Sequence, residues 1–574
     1  MPDVPARSLT LPRIRISPET LVAVATVYFA LACNSRFWSR FAASSGSGGT
    51  RTAIAVFAAL VLVAGIHALL LLPFSSRHLL KPALAVLFAA NAVAIHSIET
   101  FGVYVDASMI RNVLQTDAAE ATELVSWGLA RYLLLYAIVP GVVLLRIELV
   151  SAPLPRAVRR RALFLACAVA ALGVAGLISF KEMSSFFRND REARYLITPG
   201  NYVVSLVSVG LAEGRAAANE RTPIGTDASL GSTWRSGERP MLLVLVVGET
   251  ARAESFSLNG YGRETNPRLR AVPGLINFSD VSACGTSTAV SLPCMFSPFG
   301  RTSPKAKRAR EFESLLDVVR RAGLEVTWLD NNSGCKGVCD GVESAIVGRG
   351  DWAPSCSTDE CFDEVLLAGV DAKIGSGRSA LLVLHQKGSH GPAYYRRYPS
   401  AFERFTPSCR SDDFADCTRD EIRNAYDNSI LYTDHVLAEV IERLDAASGG
   451  VDTAMLYVSD HGESLGENGI YLHGLPYSMA PSAQTRVPMI FWASPQFAAR
   501  LPMRLGELAR AASSRHHSHD NLFHSVLGAL DVRTEIYDAR LDVFATGQHS
   551  VEPGTSLASA ARHPDDGGIT TNAR

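Results

Sequence analysis

Five stretches in the first third of the chain are predominantly apolar, at residues 20–38, 53–74, 79–98, 129–145 and 162–180, the first and fourth being the least clean. Each approaches or reaches the roughly 20 residues that carry a helix across a bilayer. The second and fifth are nearly free of charge, more apolar than a helix packed on a soluble core needs to be. The first also has the outline of a cleaved leader, but four more spans follow it, so five transmembrane helices are expected. From residue 241 the pattern changes. MLLVLVV (241–247), 325–329, ALLVLH (380–385), TAMLYVSD (453–460) and VPMIFWA (487–493) read as short buried strands. Helical spacing fills 312–322 and 419–444. Strands alternating with helices predict a doubly wound α/β sheet. The expected organisation is a membrane bundle over 1–180, a linker over 181–240, an outer domain over 241–545 and a disordered tail over 546–574.

Charge orients this plan. Arg7, Arg13 and Arg15 precede the first span, Arg77 and Lys81 separate the second from the third, and Arg146, Arg156, Arg159, Arg160 and Arg161 separate the fourth from the fifth. The loop after the third span instead carries Glu99, Asp106, Asp117, Glu120 and Glu123 against Arg111 alone. Positive loops stay in the cytoplasm, so the N-terminus lies inside and everything beyond residue 180 outside. Arg36, Arg40 and Arg51 in the first outer loop go against the rule. The formal net charge of -1 gives no basic field for nucleic acid. Eight of ten cysteines fall in the outer domain as near neighbours: Cys284/Cys294, Cys335/Cys339, Cys356/Cys361 and Cys409/Cys417. In an exported domain these read as four disulfides, with Cys33 and Cys167 left free.

The strands end in polar, metal-capable groups: Glu249, then Asp330–Asn332, then His385 and His390, then Asp460 and His461. In open α/β sheets the site lies beyond the carboxyl ends of the strands. Glu249, Asp460 and His461 suit a divalent ion such as zinc, and Thr286 is a candidate nucleophile beside it. Thr286 sits in CGTSTAVSLPC, at an expected helix N-terminus inside the Cys284–Cys294 loop. By composition alone Ser287 and Thr288 are equal candidates. His516 and His517 read as surface-turn residues, while His385 and His519 have no assigned role.

VVGETAR (246–252), NGYGRETNP (259–267), CGTSTAVSLPCMFS (284–297), DNNSGCKGVCD (330–340), HQKGSHGPAYYRRYP (385–399) and YVSDHGESLGENGIYLHG (457–474) carry a resemblance. From about residue 18 to 540 the chain is similar to the lipid A phosphoethanolamine transferases. That group includes the mobile colistin-resistance enzymes and belongs to the alkaline phosphatase/sulfatase superfamily. The resemblance implies a five-helix bundle carrying a disulfide-rich periplasmic α/β domain in the bacterial inner membrane. It implies zinc ligands at Glu249, Thr286, Asp460 and His461, with Thr286 accepting phosphoethanolamine. His390 and His473 would be proton donors or ligands of a second zinc, and Asn332 and Lys336 would contact phosphate.

RNVLQTDAAE, in the outer loop, resembles the segment that holds the phospholipid headgroup. It places Asn112, Thr116 and Glu120 on one face if the run is a single helix. The implied reaction is ping-pong transfer from phosphatidylethanolamine to a lipid A phosphate, giving polymyxin resistance from a monomer among membrane lipids. Rival readings are transfer to heptose, Kdo or another glycan, a phosphoester hydrolase of the superfamily, and a non-catalytic membrane sensor. Sulfatases convert Cys or Ser to formylglycine, and CGTSTA offers Thr instead.

Overall fold

The computed structural model describes residues 13–44, 49–116, 118–150, 152–218, 220–234, 239–347, 356 and 361–546. Apart from Thr546, the expected tail lies outside the described residues.

Helix α1 (Pro18–Ala32) starts where the Ser17 hydroxyl accepts the Thr20 N–H, with proline at the first helical position. It stops short of the apolar run. Asn34 donates to the Phe29 and Thr198 carbonyls and accepts the Thr198 N–H, and α2 (Ser35–Ser44) leaves at 61°. The single helix expected over 20–38 is therefore a bent pair, because a buried asparagine bonds the helix-end carbonyl across to another segment. Next come α3 (Thr50–Leu71), α4 (Leu80–Phe101), α5 (Ala107–Gln115), α6 (Ala118–Glu123), α7 (Trp127–Arg146), α8 (Leu154–Asn189) and α9 (Gly200–Ala218). Pro140 has no N–H to give the helix, and the wider turn at Leu134–Ile138 in α7 absorbs the gap. Among the described residues four helices are each long and apolar enough to cross a membrane, or five if the bent pair is one span. Phe57, Leu145 and Leu177 stand exposed on them, as on a lipid-facing surface.

The outer domain is built on a seven-stranded sheet: β1 (Met241–Gly248), β2 (Ile276–Phe278), β3 (Glu325–Asp330), β4 (Glu343–Ile346), β5 (Ala380–His385), β6 (Asp452–Ser459) and β7 (Met489–Ala493). Their order is β2-β7-β6-β1-β5-β3-β4. The strands from β6 to β4 run parallel, while β7 is antiparallel to both β6 and β2. Every residue of β1 is buried. Leu243, Leu245 and Val247 enter one core with Leu292 and Phe296, and Leu242, Val244 and Val246 enter the other with Tyr426 and Leu437. Two-sided burial is why the strand reads as an unbroken apolar run, each such side chain contributing about 1.5–3 kcal/mol. Helices α10 (Thr288–Met295) and α11 (Arg419–Ala447) flank the sheet. Thr418 and Glu421 form a reciprocal cap at the start of α11. All four neighbour disulfides are present, and Cys33 and Cys167 are free.

Candidate active site

Parallel register does the placing. Asp330 pairs with His385, His385 with Val247, and Val247 with Val458. Glu249 and Asp460–His461 therefore leave adjacent strands at the same level. All three are buried, and their ligand atoms lie within 4.8 Å of one another. His461 Nδ1 is engaged by the Gly462 carbonyl at 2.9 Å, and its Nε2 is 3.4 Å from both Glu249 Oε1 and Asp460 Oδ2. Glu249 Oε2 already accepts from Asn332 at 2.7 Å and from the Thr288 hydroxyl at 3.0 Å. Asp460 Oδ1 accepts the N–H groups of Thr250 and His461. That leaves Glu249 Oε1 and Asp460 Oδ2 buried with no hydrogen-bond partner among the described residues beyond the 3.4 Å approach of His461 Nε2.

The electrostatics of the trio call for positive charge. Burial alone would strip the proton from His461, but Asp460 and Glu249 outweigh it and push the imidazole up to about 10. Burial, reinforced by Glu249, pushes Asp460 up. Burial opposes ionisation of Glu249 as well, yet His461 holds it well below the usual carboxylate range. Two carboxylate oxygens without partners and one imidazole nitrogen are a donor set that fits a divalent cation in place of that proton.

Thr286 lies two residues ahead of α10, whose N-cap is Ser287. The Cys284–Cys294 bridge closes this segment. The Gly474 N–H donates to the Thr286 carbonyl at 2.7 Å, and the Thr286 hydroxyl donates to the Leu475 carbonyl at 2.6 Å. Gly474 has φ +89°, a conformation glycine adopts without strain. Thr288 bonds Glu249 and lies 3.4 Å from His461 Nε2. Sequence reasoning weighed Thr288 only as a rival nucleophile; its signal was a hydroxyl at the first position of the helix.

The other residues singled out from the sequence stand at different removes from this centre. His473 stacks near both His461 and His390, at centroid distances of 4.5 and 5.5 Å, with Nδ1 held by Glu463 at 3.1 Å. Asn332 bonds Glu249 and faces His385 Nε2 at 3.3 Å. His385 is fully buried with Nδ1 on Asp330 at 2.9 Å, a supporting place. Lys336 Nζ donates to the Ser333 carbonyl and hydroxyl and to the Gln115 carbonyl. His519 accepts the Cys284 N–H and contacts the Ser459 carbonyl, tying the Thr286 segment to the end of β6. His516 is exposed on Asp280. His517 is not a surface residue: it pairs with Val281 and its ring packs edge-on against Phe278 at 5.0 Å.

Comparison with known proteins identifies the family of both halves of the chain. The sulfatase family describes residues 242–532, and the phosphoethanolamine transferase EptA/EptB family describes residues 63–213. Phosphoethanolamine transferase EptA of Escherichia coli K12 is 39% identical over 497 residues, covering 86% of this chain and 90% of the relative. The chain belongs to the phosphoethanolamine transferase family. Phosphatidylethanolamine transferase Mcr-1 of Escherichia coli is 36% identical, covering 84% of this chain and 91% of the relative. The solved lipooligosaccharide phosphoethanolamine transferase A of Neisseria meningitidis superposes with a TM-score of 0.85 at 34% identity, covering 92% of this chain and 99% of that one.

As a phosphoethanolamine transferase, the chain is an enzyme of the transferase class whose outer-loop helices meet the site. Met109 of α5 packs so closely on Gly474 that a Cβ there would fall 2.9 Å from its Cε. Asn112 and Thr116 are half-buried. The helix ends at Gln115, and Thr116 turns extended while its hydroxyl bonds the Asn112 carbonyl at 3.0 Å. A second helix begins at Ala118, so the common face drawn from Asn112 to Glu120 is broken at Thr116. The Glu120 side chain lies outside the described residues.

Proposed function

We propose that this transferase moves phosphoethanolamine from phosphatidylethanolamine to a phosphate of lipid A through a phosphoethanolaminyl-Thr286 intermediate, lowering polymyxin susceptibility. The observation that carries the reading is the buried Glu249–Asp460–His461 trio, with two carboxylate oxygens lacking partners, beside the Thr286 segment and under the outer loops of a membrane bundle. Zinc would be held by these three residues and Thr286, lowering the cost of a threonine alkoxide and drawing charge from the phosphoryl oxygens. Thr286 Oγ attacks phosphorus; the Oγ–P bond forms as the bond to the diacylglycerol oxygen breaks. The hydroxyl proton leaves Thr286, and diacylglycerol departs with a proton supplied from the His390 and His473 side. The Glu463 bond to His473 Nδ1 leaves Nε2 as its exchanging atom. In the second half a lipid A phosphate oxygen attacks the same phosphorus, the Thr286 Oγ–P bond breaks, and the departing Oγ takes up a proton. Asn332 orients Glu249, and Lys336 turns from Gln115 to the phosphate. Asn112, Thr116 and Glu120 receive the ethanolamine end. The chain acts as a monomer in the bacterial inner membrane, N-terminus in the cytoplasm and sheet domain in the periplasm.

Thr288 also bonds the trio, which favours a second reading with Thr288 as nucleophile. Its bond to Glu249 Oε2 instead serves to turn Oε1 toward the cation. Peptide mass spectrometry of enzyme trapped with phosphatidylethanolamine is expected to find the adduct on Thr286, and lipid A in a Gram-negative host should gain one phosphoethanolamine group. An adduct on Ser287 or Thr288 refutes the nucleophile; mass gained on a core sugar refutes the acceptor.

A further inference from the structure

Two of the three arginines that go against the charge rule of the outer loops, Arg36 and Arg40, line a cavity. A space of about 190 Å³ lies between the bundle and the outer domain, walled by Ile98, Leu196 and Leu475 among others. Among the described residues, Arg36 and Arg40 are the charged ones that line it. They stand one turn apart on α2, whose Phe37 and Phe41 are buried, so the helix is amphipathic and suited to the membrane interface. Arg36 donates one N–H to the Glu99 carbonyl at 3.2 Å. Arg40 pairs with Asp190 at 2.8 Å and lies over the Tyr104 ring at 5.3 Å. A guanidinium has five N–H donors, so both forks retain capacity for a further acceptor. Tyr104 lines the same cavity at 3% exposure, and its hydroxyl finds no acceptor among the described residues. Leu475 belongs both to this wall and to the nucleophile, since its carbonyl holds the Thr286 hydroxyl.

We propose that the Arg36–Arg40–Tyr104 cavity binds a lipid-borne phosphate monoester, the acceptor group, next to Thr286. The inference rests on the transfer reaction proposed above. Planar guanidinium forks match phosphate oxygens, and a phosphate monoester carries more charge than the zwitterionic donor headgroup. Ile98 and Leu196 offer apolar contact to the carbon beside such a phosphate, while Leu475 links the cavity to the Thr286 hydroxyl. Retaining basic residues on the outer side runs against the topological bias of the chain, and an anionic ligand there gives them a use.

Full-length enzyme in detergent micelles tests this with Arg36→Gln/Arg40→Gln, Arg36→Lys/Arg40→Lys and Tyr104→Phe. Diacylglycerol release from phosphatidylethanolamine without acceptor reports the first half-reaction, and it is expected to match wild type in all three. The KM for diphosphoryl lipid A should rise roughly tenfold or more in the glutamine variant, with partial recovery in the lysine variant. Native mass spectrometry should show diphosphoryl lipid A retained by wild type, lost from the glutamine variant, and not replaced by dephosphorylated lipid A or phosphatidylglycerol. Unchanged KM and retention would overturn the site. Equal retention of phosphatidylglycerol would make it a general anionic-lipid site and overturn the acceptor assignment. Diacylglycerol release falling in step with transfer would give the cavity to the donor and overturn it too. Wild-type retention of lipid A without any transfer would instead refute the proposed function and leave the cavity standing.

Discussion

Removing the Glu123 carboxylate should uncouple the membrane half from the site without unfolding either. Glu123 ends α6, and both of its oxygens accept from Arg397, with the two side chains 1% and 2% exposed. Arg397 also donates through Nε to the His390 carbonyl at 2.8 Å, so the pair runs from an outer loop of the bundle into the active-site segment. Glu123→Ala leaves a guanidinium buried without its counter-ion, at a cost of about 3–5 kcal/mol. At about 1.4 kcal/mol per decade that is two to nearly four decades in whichever equilibrium bears it. The pair joins α6 to the His390 segment and lies outside every strand of the sheet, so the docking of α5 and α6 bears the penalty. Other joints remain, including Arg310 to Glu213 and Gln115, and Phe101 against Phe414. Transfer to lipid A by Glu123→Ala should therefore fall by roughly tenfold or more, short of the full penalty. Zinc content and cleavage of a small soluble phosphoethanolamine ester should stay near wild type. Hydrogen exchange should rise in residues 107–123. Glu123→Ala/Arg397→Met, which removes the stranded charge, should recover part of the loss. Undiminished lipid transfer, or soluble-ester cleavage falling equally, would refute this reasoning.

Three further outcomes can be checked. Thr288→Val should weaken zinc binding by about 10–100-fold, by freeing Glu249 to rotate, while the adduct still forms on Thr286 at saturating zinc; unchanged zinc affinity would contradict the orienting role. Burial pushes the Asp542 carboxyl up to about 7 despite bonds from the Tyr537 hydroxyl and the Phe544 N–H. The folded chain then keeps this proton longer than the unfolded one, so stability falls as pH rises from 3.8 to about 7 and levels above; Asp542→Asn should melt higher than wild type near pH 8, the gap closing toward pH 5, and a pH-independent gap would oppose this. A fragment lacking residues 1–220 should fold, bind zinc and slowly hydrolyse a soluble phosphoethanolamine ester, yet fail to modify lipid A in cells; full lipid A modification by it would remove the bundle from the mechanism.

What the sequence made legible follows from how locally each feature is encoded. Apolar runs revealed the spans because lipid demands them residue by residue, but the bend after Ala32 depends on Asn34 finding Thr198, 164 residues away. The disulfides were readable because both partners are near neighbours in an exported domain. Glu249, Asp460 and His461 were readable because parallel register brings strand ends together, whichever strands pair. The antiparallel sense of β7 was hidden, since a doubly buried strand looks the same in either direction. The break at Thr116 was hidden for a similar reason: its hydroxyl bond to the Asn112 carbonyl closes one helix, while the residues on either side keep helical spacing. His517 read as surface because its polar neighbours outvoted one ring contact with Phe278.

A covalent phosphoryl-enzyme intermediate is open to water as well as to a second lipid, so the fold has to decide which arrives. Thr286 is 5% exposed and the trio 1% or less. Part of that cover comes from the membrane half. Met109 packs over Gly474, whose N–H holds the Thr286 carbonyl, and Lys336 reaches across to Gln115 at the end of the same helix. On the reaction proposed above, bond exchange would take place in the sheet domain, and the choice of lipid over water as acceptor would fall to the roof that α5 and α6 provide. The Glu123–Arg397 pair is the buried ionic joint of that roof, which is why its loss should separate lipid transfer from ester cleavage.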